Sequence, residues 1–260
     1  MENYRLLLIL ATLAFIGGLI HALIVLKKGA WRESRWHVLP MAAGLALLTA
    51  FLYVRGEAVG QCPMKSLSDI LVFIAWSIAL LYFLVGGAYR LSLLGLFTAP
   101  LVAGLQILAL ALPNSFPAYP AKGKIIPLVE LHAAVALIAY AAFALACITG
   151  VMYLLQERLL KRHRIGGLFY QLPPIQDLAK SIRRLALLGL VLLSSALAMS
   201  LALHQPTSNP KVIFAWAVWV LYGFISIMMW RHILSPRQTA WLAVVGFIVP
   251  FVSLWLVTKG

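Results

Sequence analysis

Acidic side chains are scarce in this sequence: 7 Asp and Glu stand against 21 Lys and Arg in 260 residues, a formal net charge of +14. None of the seven falls in the middle of an apolar run. That argues against a small-solute transporter coupled to protons or cations, which carries carboxylates at mid-membrane. Cysteine is rarer still. Cys62 and Cys147 do not form a C-x-x-C pair, and one lies in a connection while the other lies deep in an apolar run. A disulfide between them and membrane thiol–disulfide exchange are therefore not expected, and Cys147 reads as a small packing residue. The chain has no internal repeat, no low-complexity segment and no pair of Gly/Pro-interrupted half-helices of the transporter kind. It also lacks a Ser, His and acid grouping that would argue for a hydrolase, and any nucleic-acid motif to accompany its positive charge.

What is present is hydrophobic. Apolar residues make up 63% of the chain, charged residues 11%, and the mean hydropathy is +0.97, values that a soluble folded monomer does not sustain. Only helices satisfy the backbone at these run lengths in lipid, so the fold expected is all-α, a polytopic membrane protein forming a bundle of about eight transmembrane helices. The spans fall near 6–26, 37–54, 69–89, 91–112, 128–155, 184–204, 211–230 and 238–257, within a single transmembrane domain, 1–260. The first is read as a retained span, because its apolar run is long and Lys27, Lys28, Arg32 and Arg35 come directly after it. The third and fourth are expected to meet in a tight hairpin at Tyr89, Arg90 and Leu91.

Basic residues set the orientation. With both termini outside, only Arg5, Arg55, Lys65, Lys122, Lys124, Lys211 and Lys259 lie outside, and the other 14 of the 21 lie on the cytoplasmic side. The positive charge is thus accounted for by topology and by attraction to an anionic lipid bilayer, with no nucleic-acid partner. The localisation expected is the bacterial cytoplasmic (inner) membrane, multi-pass.

This topology sorts the six histidines. His132 opens the fifth span and His204 closes the sixth, both on the outer side. Two neutral imidazoles at comparable depth can ligate one iron from opposite faces, and interfacial hydrogen bonding is the plain alternative for each. His21 lies inside the first span, about 8 Å from its cytoplasmic end at 1.5 Å per residue. An intramembrane histidine needs either an interhelical hydrogen bond or a function. His37, beside Trp36, reads as an interfacial anchor, and His163 and His232 as cytoplasmic loop residues. Glu130 reads as a helix-start residue after Pro127. The long inner loop, 156–184, carries Lys161, Arg162, Arg164, Arg183 and Arg184. After Pro173 and Pro174 comes a basic amphipathic stretch, IQDLAKSIRRL, expected to lie on the inner leaflet or to dock a cytosolic partner.

Several long stretches, LHAAVALIAYAAFALACITGVMYLLQERLLK, LPPIQDLAKSIRRLALLGLVLLSSALAMSL and NPKVIFAWAVWVLYGF, with MKSLSDILVFIAWSIALLYFLV in the first half, resemble the cytochrome c assembly family. That family includes the haem-handling CcsA proteins and a shorter HemX- and YpjD-like branch. The resemblance covers nearly the whole chain. His132 matches the family histidine that starts this span and is implicated there as an axial haem ligand. Asn209, Pro210 and Lys211 resemble the segment just after the family's tryptophan-rich loop, but the connection here, HQPTSNPK, has neither Trp nor Asp. That departure places the chain with the short branch. His232 lies several residues beyond the family's membrane histidine and receives no role.

The resemblance implies an inner-membrane haem-handling protein of cytochrome c maturation or haem metabolism, with haem as the cofactor. His132 and His204 would be its outer axial ligands, and Trp216 and the turn from Phe116 to Tyr119 would cover the ring. Holding and presenting haem needs no acid or base, so a carrier, chaperone or regulator is expected rather than an enzyme. The partners implied are a cytochrome c maturation protein or, for a haem-free regulatory or scaffold protein acting through the basic inner loop, a haem-biosynthesis enzyme.

Overall fold

The computed structural model describes residues 3–27, 35–89, 94–113, 115–117, 127–162, 172–203, 210–231 and 233–257. Within them lie nine helices: α1 (Asn3–Lys27), α2 (Arg35–Val59), α3 (Leu67–Tyr89), α4 (Leu94–Ala111), α5 (Pro127–Lys161), α6 (Ile175–Ala202), α7 (Pro210–Trp230), α8 (Pro236–Gly246) and α9 (Ile248–Val257). The described residues contain no strand. Seven of the helices, α1 to α7, are long and apolar enough to cross a membrane. The protein is a polytopic membrane helix bundle, as its composition requires. The hairpin expected at Tyr89 to Leu91 lies outside the described residues beyond Tyr89.

The chain forms two compact units, Met1–Ile125 with Gly166–Leu172, and Ile126–Ile165 with Pro173–Gly260.

In the first unit, α1 to α4 run alternately up and down, and one set of polar contacts gathers four of their ends. Arg55, near the end of α2, pairs through Nε with Asp69 Oδ1 in the first turn of α3 at 3.1 Å, with side-chain exposures of 3% and 0%. The same guanidinium donates to the Pro117 carbonyl at 2.7 Å, just past α4. It also lies 5.1 Å from the ring centroid of Tyr4 on α1. Ser66 fixes the carboxylate: its hydroxyl donates to Asp69 Oδ2 at 2.7 Å and accepts from the Asp69 amide at 3.1 Å, a cap that starts α3. Phe116 stacks edge-on against both Tyr4 and Phe51, at 6.0 and 5.4 Å. It holds a left-handed φ of 59°, a conformation an aromatic residue keeps only where its surroundings impose it. Deeper in this unit, Thr12 donates to Gln106 Oε1 across α1 and α4 at 2.7 Å. α2 stops because Gly60, at φ 67°, turns left-handed and lets the Gln61 amide reach back to the Gly56 carbonyl.

In the second unit, α5 and α6 pack along their lengths through small residues. Ala139, Ala142 and Ala146 of α5 are fully buried, and Gly189 of α6 is buried opposite them. A Cβ on Gly189 would sit 2.4 Å from Phe143 Cε1. Phe143 cannot retreat, since it is itself fully buried and stacked at 3.6 Å on Tyr222 of α7. Close approach of small residues is how helices associate where lipid removes the hydrophobic drive between them.

Three expectations about boundaries are corrected. α5 and α6, at 35 and 28 residues, are about 52 and 42 Å long, against a hydrocarbon core of about 30 Å. Charge marks where lipid ends, while the helix continues past it into water. For the same reason the amphipathic stretch after Pro174 is no separate surface helix. It forms the first turns of α6, with Leu178, Ser181, Ile182 and Leu185 buried at helical spacing. Finally, the span expected at 238–257 is two short helices, α8 and α9, that part at Phe247. Pro250 has no N–H for the Gly246 carbonyl four residues back, and its ring crowds that carbonyl.

Two substitutions test this packing in detergent-solubilised protein. Gly189→Ala is expected to cost about 1–3 kcal/mol by overpacking and to lower the thermal midpoint, whereas Gly104→Ala, with open space around it, leaves it unchanged or raises it. Arg55→Met strands the buried Asp69 carboxylate at a cost of about 3–5 kcal/mol, while Arg55→Met with Asp69→Leu restores most of the loss; unfolding midpoints of the three proteins give the ordering.

Candidate functional site

His132 is in the second turn of α5, which starts on Pro127, whose fixed φ and missing N–H suit a first helical position. Its Nδ1 lies 2.7 Å from the carbonyl oxygen of Ala196 on α6. A carbonyl can only accept, so Nδ1 carries the proton. In its neutral form such a ring presents Nε2 as a bare lone pair, the form in which an imidazole binds a metal. A backbone carbonyl on the far ring nitrogen is the usual support of a metal-ligating histidine, because it fixes both tautomer and ring orientation. The residue is partly buried.

The neighbourhood of Ala196 is built by α6 and α7. Trp219 Nε1 donates to Ser194 Oγ at 2.8 Å, and Ser194 donates in turn to the Leu190 carbonyl at 2.7 Å. Ser194 lies eight residues before the end of α6 and Trp219 nine after the start of α7, so the two helices run antiparallel. Trp216 is one turn from Trp219, toward the end of α6 that holds Ala196, and the two indoles meet edge-on at 5.5 Å. Trp216 is half-buried against a core of Tyr140, Phe143, Leu193, Leu197, Val218 and Tyr222. His132 and Trp216 therefore sit at similar heights on two helices that both flank α6.

His204 lies outside the described residues, as do His163, His232 and Arg164. Of His37 only the backbone is described. From Ala196 to the end of α6 at Ala202 is six residues, about 9 Å, so His132 is seated below the helix end rather than level with it. His21 lies on an exposed part of α1. Phe116, expected to cover a ring ligand, is buried in the first unit at 3% exposure, in edge contact with Tyr4 and Phe51 and with the Arg55 guanidinium over its ring, so it has no open face to offer. Of the basic residues expected on the inner side, Lys161 pairs with Glu157 at 2.7 Å, Arg162 and Arg184 are exposed, and Arg183 is partly buried on α6. No group of three or more His, Cys, Asp and Glu among the described residues could hold a metal by themselves. Ser194, Trp219 and the Ala196 carbonyl are not singled out by the sequence. Their one signal is a pair of hydroxyls, Ser194 and Ser195, inside an otherwise apolar run.

Residues 64–258 match the family described as Cytochrome C assembly protein. Among curated proteins the chain is similar to protein HemX of Brevibacillus brevis, 29% identical over 57% of this chain and 54% of that one. It is also similar to the cytochrome c biogenesis protein CcsA of Chlorella vulgaris, 30% identical over 45% of this chain and 38% of that one. A third relative is protein HemX of Bacillus subtilis (strain 168), 22% identical over 74% of this chain and 69% of that one. The matches to the first two span about half and about two fifths of those relatives' lengths. Since the family match covers three quarters of the sequence, the chain belongs to the cytochrome c assembly protein family.

Proposed function

We propose that this membrane protein holds haem at the outer side of the bacterial cytoplasmic membrane and presents it to a partner in cytochrome c maturation or haem metabolism. His132, through Nε2, and His204 would hold the haem iron. The observation that carries this reading is the 2.7 Å contact of His132 Nδ1 with the Ala196 carbonyl, which leaves the ligating nitrogen free and the ring held. The donor chemistry fits, because a neutral imidazole is a common axial ligand of haem iron. Trp216, partly buried at a similar height, would pack against an apolar ring. Bound haem would supply an iron with affinity for imidazole nitrogen, and this chain's residues would bind and orient it without acid or base chemistry.

Protein purified in mild detergent is expected to show a Soret band that shifts on reduction. His132→Ala weakens it, and His132→Ala with His204→Ala abolishes it. An unchanged spectrum in the double variant contradicts the assignment. A colourless protein that retains a soluble partner through Lys161 to Arg184 would favour the haem-free regulatory alternative.

A further inference from the structure

At the opposite end of α5 from His132, the last turns of that helix and the start of α8 enclose a groove of about 640 Å³, within the ~300–1,000 Å³ usual for ligand sites. Its two halves differ in chemistry. Among the described lining residues, Leu154, Leu155, Trp241 and Val244 line one half, and Arg158, Lys161, Arg162 and Arg237 line the other, with Glu157 as the one acid. The charge of these described residues is therefore +3. Glu157 accepts from Lys161 Nζ at 2.7 Å and meets Arg237 Nε at 3.5 Å, which orders both cations. Engaged through Nε, the Arg237 guanidinium keeps its Nη edge for a second acceptor. α8 is held in place by a complete capping box: Ser235 accepts from the Gln238 amide, and the Gln238 side chain accepts from the Ser235 amide. Trp241 is 51% exposed beside the cations, the position an indole takes at a membrane–water boundary.

We infer that this groove seats one anionic phospholipid of the bilayer, its phosphate against Arg158, Arg162 and Arg237 and an acyl chain along Leu154, Trp241 and Val244. Charge complementarity selects the occupant. A freely soluble anion leaves the apolar half wet, and a zwitterionic headgroup brings its own cation against four others. An anionic lipid satisfies both halves and enters sideways from the leaflet that carries such lipids. The site is independent of haem and lies in the second unit alone.

The test uses the full chain in vesicles of phosphatidylcholine doped with phosphatidylglycerol or phosphatidylcholine brominated on the acyl chain. Bromine quenches nearby indoles, and the Trp241 signal is the difference between wild type and Trp241→Phe. Brominated phosphatidylglycerol is expected to quench Trp241 more strongly at equal mole fraction. That preference should fall about fivefold for each cation removed, in Arg162→Gln and in Arg162→Gln with Arg237→Gln. The single variant removes an exposed side chain and serves if the double variant does not fold. Arg184→Gln, on α6, leaves the preference intact. Equal quenching by the two lipids overturns the proposal, as does a preference that survives the double variant or that Arg184→Gln lowers equally. Loss of the preference in millimolar inorganic phosphate also overturns it, because the site would then recognise the free anion and not the lipid.

Discussion

The fit of α5 against α6 is the constraint on which the second unit depends. With Gly189 facing Phe143, and Phe143 backed by Tyr222, the two helices have one register at which they close. A one-residue slide would carry a Cβ into a ring that has nowhere to go. That register sets the height at which His132 meets the Ala196 carbonyl, so a packing detail in the helix interior decides the tautomer of a histidine several turns away. The imidazole is then both a hydrogen-bond donor that satisfies a helix–helix contact and a ring with one nitrogen turned outward. A haem-ligating role would be compatible with the structural one, because each uses a different nitrogen.

The first unit solves a different problem. Four helix ends meet there, and a bilayer boundary leaves their backbone groups and Asp69 needing partners. One arginine serves several of them: Arg55 reaches a carboxylate, a loop carbonyl and an aromatic face. A buried ion pair of this kind is costly to assemble and more costly to break, which suits a fixed joint.

Much of this fold is legible in the sequence, because hydropathy reports directly on the medium. The seven long spans and their alternation follow from apolar runs and from where basic residues cluster, and His132 stands out as a histidine that opens a span in a stretch resembling the family. The differences share a cause. Charge locates the lipid boundary but not the helix boundary, so α5 and α6 run on past it, and the stretch after Pro174 belongs to α6 instead of lying alone on the leaflet. A single proline, Pro250, divides an apolar run that hydropathy presents as one span. Partners are illegible for a different reason. Nothing in a sequence pairs Arg55 with Asp69, seats Arg237 beside Glu157, or points the His132 ring at a backbone carbonyl that belongs to an alanine.

Whether His132 can ligate iron is decided by the protonation pattern of its ring. Nitrogen NMR of the protein in lipid with 15N-labelled histidine, assigned by difference from His132→Ala, reads that pattern directly. The expected spectrum has a protonated Nδ1 and an unprotonated Nε2 for His132, the Nε2 resonance being displaced most when haem is added. A proton on Nε2, or an Nε2 signal indifferent to haem, would contradict a haem-ligating His132.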